Sequence, residues 1–158
     1  MKILALTPQE RVFLQATHKV IVTWEDLAAG AAAAAQTLQI FPTSGDVPVG
    51  TVVRWAGSNL TTAFDFSDAS INSLTLTVGD DGDVDRFLTS TELAADGTEI
   101  IYKTTAASSQ PYAYNTANGI DAVFTASGGG DPLASEATSG VVEIYLTVMD
   151  MNDLEASQ

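Results

Sequence analysis

Three aspartates alternate through Asp81-Gly82-Asp83-Val84-Asp85, and Glu92 follows further along. Oxygen donors at positions 1, 3, 5 and 12 are what a calcium loop uses. That loop also needs glycine at position 6 for its sharp turn, and Arg86 stands there. The flanks alternate like strands, not helices, so an EF-hand is excluded. The preferred reading is a solvated β-turn whose Asp and Gly residues satisfy their own backbone. A looser calcium site on Asp81 to Asp85, as in a calcium-dependent carbohydrate-binding module, is the alternative.

Other chemistry-bearing residues are few. His18 is the only histidine and there is no cysteine. Disulfides, zinc-thiolate sites and thiol nucleophiles are therefore absent. A serine hydrolase would have to use His18, which sits at the start of a strand, and no nucleophile elbow is present. Paired carboxylates could serve a glycosidase, but the acids cluster in turns and tail, and aromatics are only 8 % of the chain. Asn59-Leu60-Thr61 matches a glycosylation sequon by chance. Gly128-Gly129-Gly130-Asp131-Pro132 has no lysine and no following helix, so it is a flexible loop and not a phosphate cradle. No catalytic, cofactor-binding or metal-ligating residue is assigned, and the expectation is a non-enzymatic protein without cofactors.

The bulk numbers narrow the partners. Six Lys and Arg against 20 Asp and Glu in 158 residues give a net charge of −14. Lys2, Arg11, Lys19, Arg54, Arg86 and Lys103 are scattered singly, so nucleic acid and anionic membranes are excluded as main partners. The apolar fraction is 46 %, of which 23 residues are Ala, and Thr is abundant at 19. The apolar start, Ile3 to Leu6, ends at Thr7-Pro8, short of a secretory core. Ala28 to Ala35 is too short and too weakly apolar to span a bilayer. The expectation is a protein kept in the cytoplasm where it is made, or packaged there.

Hydropathy alternation supplies the elements that must carry these residues. Residues 1–16 read as an N-terminal arm or a short helix opened by Pro8. Strands are expected over His18–Trp24, Gln36–Phe41, Thr51–Ala56, Leu60–Phe66, Ile71–Val78, Val84–Leu93, Ile120–Ala126 and Val141–Met149. Glu25–Gly30 reads as a turn or short strand. Ala31–Ala35 reads as extended and closely packed against a neighbour. Turns fall at Pro42–Gly50, Ser58-Asn59, Gly79–Asp83 and Asp96-Gly97, the last leading into Glu99–Tyr102 as in a hairpin. Loops cover Ala106–Asn118 and Ser127–Ser139, and residues 151–158 form an acidic tail. Leu74, Leu76 and Val78 share one face of their strand, and Val142, Ile144, Leu146 and Val148 share one face of theirs. Trp24, Trp55, Phe64 and Phe66 are either core or anchors at a subunit contact. The pattern predicts an all-β fold: a single antiparallel β-sandwich over 17–150, jelly-roll-like, of about eight strands.

Two stretches carry a resemblance. One is Thr61–Phe66 with Ile71–Gly79 and Gly82–Leu88; the other is Gly119–Ala126 with Gly140–Val148. Together they resemble small tailed-phage virion proteins, some of which are capsid decoration (cement) proteins. The resemblance spans roughly residues 50–150 and rests on Thr-rich strands, a TVGD…GDxD…L turn and a Gly-rich loop before a closing strand. It carries no catalytic residues. It implies a virion protein that decorates the outer capsid surface, with the major capsid protein as partner and a homotrimer as the expected state. The residues suit that role. Avidity multiplies weak contacts at repeated sites, the net charge keeps copies from aggregating, and edge strands or residues 1–16 could add to a neighbouring sheet. A tail or head-fibre component is the nearest alternative, although neither repeats nor a coiled-coil shaft are present.

Overall fold

The computed structural model describes residues 1–4, 16–42, 45–94 and 111–150. The expected arm or helix over most of 1–16, the Asp96-Gly97 hairpin, the start of the Ala106–Asn118 loop and the acidic tail lie outside the described residues. Nine strands are described: β1 (Lys2–Leu4), β2 (His18–Thr23), β3 (Ala35–Phe41), β4 (Thr51–Phe66), β5 (Ile71–Asp80), β6 (Asp83–Glu92), β7 (Tyr112–Ala113), β8 (Ile120–Gly128) and β9 (Ala137–Asp150). One short helix, α1 (Trp24–Ala28), follows β2, and a 3-10 turn (Ala134–Glu136) precedes β9.

The strands form two antiparallel sheets, β1-β2-β9-β4-β7 and β3-β8-β5-β6. The fold is an all-β sandwich, as the alternation predicts. From β2 to β9 the chain steps between sheets in the jelly-roll order. Every second residue of the long strands points between the sheets. Leu74, Leu76 and Val78 of β5 are fully buried there, with Ile120, Ala122 and Phe124 of β8 and Val142, Ile144 and Leu146 of β9. Burying each of the larger side chains is worth about 1.5–3 kcal/mol.

Four local expectations are corrected. The strand expected to reach Trp24 stops at Thr23, and Trp24–Ala28 is helical instead of a turn or strand. The Thr23 backbone N–H and Oγ1 both donate to Asp26 Oδ2, at 2.9 and 3.1 Å, so Asp26 ties the first turn. The Ser58-Asn59 turn is absent: β4 runs unbroken through it, with Ser58 opposite Ile144 and Asn59 opposite Glu143. Irregular register, not a reversal, bends this long strand. The Ala106–Asn118 loop contains β7, held on the edge of β4. The alanines of 31–35 are not helical, but only Ala33 escapes full exposure; what approaches closely is backbone, since Ala33 and Ala34 carbonyls accept from Ala134 and Ala126 N–H.

Two glycines are required by contact. Gly140 has φ +129°, and a Cβ there would sit 2.3 Å from the Phe64 ring, which packs over it. A Cβ on Gly79 would meet the Asp83 carbonyl oxygen at 2.0 Å, because the bulged start of β6 crosses directly over it.

Candidate functional site

The loops fall at two ends of the sandwich. At one end the turn 81–82, the loop 45–50 and the segment 114–119 meet: Val47 bridges Asn118, and Gly50 N–H donates to the Tyr114 carbonyl. This end holds the aspartate cluster. Its organising residue is Asp80, which lies outside the spacing pattern. Asp80 is 2 % exposed. Its carboxylate accepts from Gly82 N (2.9 Å), Asp83 N (3.0 Å), Arg86 Nε (2.7 Å) and Nη2 (3.3 Å), and the Tyr114 hydroxyl (3.0 Å). Arg86 also lies 4.1 Å over the Tyr112 ring. Tyr112 and Tyr114 pack edge to face with each other, and both pack on Phe87. Arg86 comes from β6, the last strand of one sheet, and Tyr112 from β7, the last strand of the other. The cluster therefore clasps the two sheets together along that side.

The electrostatics follow this geometry. Burial, and then the charge and hydrogen bond of Asp80, push the Tyr114 hydroxyl far above the usual phenol range. Burial works against the Arg86 cation, but the hydrogen bonds and charge of Asp80 outweigh it and hold the guanidinium above its ordinary value. A hydrogen bond to Asp83 raises the exposed Asp85. Burial, then the charges of Asp81 and Asp80, raise Asp121.

Glu92 does not join this cluster. It ends β6 opposite Thr75, whereas Asp83 starts β6 opposite Asp80. Their β5 partners are five residues apart, so at ~3.3 Å per residue the two lie roughly 17 Å apart. Glu92 instead receives the N–H groups of Leu74 (3.0 Å), Leu93 (3.1 Å) and Ala94 (2.8 Å), and the Ser73 hydroxyl at 2.5 Å. Burial opposes its charge, but these donors hold it below the usual carboxylate range. Among the described residues, no three His, Asp or Glu side chains are grouped to hold a metal ion.

The other singled-out residues are separate. His18 is half-buried against Phe41, with ring centroids 4.6 Å apart, and its Nδ1 shares a hydrogen bond of 2.8 Å with Thr17 Oγ1. Burial lowers its pKa. Asn59 of the sequon lies within β4 and donates from Nδ2 to Glu143 Oε2 at 3.1 Å. The Gly-rich loop lies at the opposite end, where Gly129 N–H and Ser70 Oγ donate to each other's backbone carbonyls at 3.0 and 2.8 Å. Phe64 and Phe66 are core, and Trp24 packs partly buried against it.

The sheet faces differ, and alternation alone does not reveal this. On the outside of the β1-to-β7 sheet, Lys19, Tyr145 and Thr147 are all at least nine-tenths buried. Lys19 ion-pairs with Glu143 at 3.7 Å, and the Tyr145 hydroxyl donates to Glu143 at 2.6 Å. The outside of the β3-to-β6 sheet is partly exposed and nearly uncharged. Across it run Thr37, Val123 and Thr77, and next to them Ala35, Thr125, Thr75 and Glu92. Charges enter only at its margins, through Asp121 and Glu92 and along β6.

No family model matches this chain, and no curated protein matches it. Among solved structures, a chain of the "Cyanophage Pam1 capsid asymmetric unit" superposes with a TM-score of 0.55 and 19 % identity, over 82 % of this chain and 80 % of that one. At that identity the likeness shows a shared fold.

Proposed function

We propose that this protein is a non-enzymatic structural component of a tailed-phage virion: a decoration protein that binds the outer surface of the head, contacts the major capsid protein and stabilises the shell. The observation that carries the reading is the shared fold with a chain from the cyanophage Pam1 capsid asymmetric unit, over four-fifths of both chains. The strand-and-turn resemblance to phage cement proteins points the same way.

The physics is consistent with that role. The sandwich is densely tied, with Asp80 clasping one side and Glu92 bracing the β5–β6 pair. Asp80 and Glu92 both hold backbone N–H groups, which is what a scaffold needs. A charge of −14 opposes non-specific aggregation. Binding as a trimer at local three-fold positions would multiply weak contacts by avidity.

Co-sedimentation tests this directly. Heads of the encoding phage, assembled without the protein, are mixed with it and pelleted. Saturation at a fixed ratio to the major capsid protein is expected, and the ratio identifies the symmetry position. Protein found instead at a few copies per virion, with no affinity for heads, would move it to the tail or fibre.

A further inference from the structure

We infer that β3 is the docking edge of the molecule, and that it takes an extended segment of the shell protein as an added strand. The inference rests on the head-binding reading and names the surface and the kind of partner.

A sheet edge presents unpaired N–H and C=O groups, and proteins blunt such edges with short strands, charges, proline or bulges. Among the described residues two sheets give four edges, and three are blunted. β1 has 3 residues and β7 has 2. β6 carries Asp83, Asp85, Arg86 and Glu92 and has irregular register against β5. β3 differs. Its 7 residues, Ala-Gln-Thr-Leu-Gln-Ile-Phe, include no charge and no proline. Its one register shift comes at the end, between Gln39 and Phe41. Among the described residues it pairs only with β8, and Ala35 and Thr37 are exposed.

The surroundings fit an added strand. Leu38, Phe41 and Trp24 pack against the core yet are only partly buried. Alternate apolar side chains of an incoming strand would complete their cover. Its other side chains would continue the uncharged face of Ala35 and Thr37. Such a partner segment would be extended, alternately apolar, and free of acidic residues near Asp121 and Asp46.

Symmetry and edge type argue against a second copy as the occupant. Among the described residues another copy offers only its own β3, since the other edges are short or charged and irregular. That pairing would close a two-fold dimer, which is not the three-fold arrangement proposed above. A strand from a different protein meets neither obstacle.

Hydrogen exchange on the full chain, free and bound to heads that lack it, tests the inference. About half of the β3 amides face the open edge, and these are expected to exchange about tenfold or more slowly on binding. Leu38→Lys places a charge at the edge and is expected to lower head occupancy about tenfold. Ser90→Lys on β6 should bind like the parent chain. Unchanged melting and circular dichroism establish that Leu38→Lys is folded, and the exchange measurement needs no variant. Heads bound normally with β3 exchange unchanged would overturn the docking edge while leaving head binding intact. No binding of the parent chain to heads would overturn both. Protection of β3 that instead grows with protein concentration, without heads, would show a second copy as occupant and overturn the partner assigned here.

Discussion

Asp80 collects five donated hydrogen bonds from a turn, a cation and a phenol. Removing its charge strands Arg86, which is mostly buried, next to a neutral amide. Asp80→Asn is therefore expected to cost about 3 kcal/mol, read by urea unfolding, because breaking a buried pair leaves an uncompensated charge. Asp81→Asn, at an exposed position, should change stability by under about 0.5 kcal/mol. His18 gives a pH dependence. Burial lowers its pKa, so the folded state favours the neutral ring. Below the ordinary value of 6.5 the unfolded chain takes up a proton that the folded chain resists. The associated stability is thus present above that value and declines as pH falls beneath it. The melting temperature is expected to drop between pH 7.5 and 5.5, and His18→Gln should flatten the drop.

Strand β6 is held at both ends by carboxylates with different tasks. Asp80 ties its beginning, and Glu92, at its end, grips the β5 backbone and the chain that follows. Glu92→Gln is expected to lose about 1.5–3 kcal/mol, since hydrogen bonds to a charged acceptor become neutral ones. Because Glu92 is so engaged, adding calcium should leave the melting temperature unchanged; a rise reversed by a chelator would restore a metal role for Asp81 to Asp85. The crossing of β6 over Gly79 leaves no room for a side chain. Gly79→Val is expected to unfold or reshape the β5–β6 tip, visible as faster amide exchange over 79–88. The spacing of the aspartates was legible in the sequence, and so was the turn. The importance of Asp80 was not, because its partners Arg86 and Tyr114 meet it only after β6 and β7 have come together. One signal was available: an Asp two residues before Gly82 can accept from the turn backbone.

For the molecule as a whole, charge governs solution behaviour. With an isoelectric point near 4.1, light scattering is expected to stay flat from pH 8 to 6 and to rise as pH approaches that value, where repulsion vanishes. The uncharged sheet face and the β3 edge then become the places where contact is least opposed.

Alternation alone determined the fold class, most strand positions and the inward sets of β5 and β9, because burial on one face of a strand forces period two. The helix at Trp24–Ala28 was not read, although a signal for its start was there: Thr23 is followed three positions later by an acid, Asp26. Only the tertiary structure decided that β4 passes straight through Ser58-Asn59. There, ladder bonds to β9 override a weak local preference for a turn. It also decided which outer face is buried and, among the described residues, which strands lie at the sheet edges. Those depend on which strands end up as neighbours, and neighbours in a jelly roll are far apart in sequence.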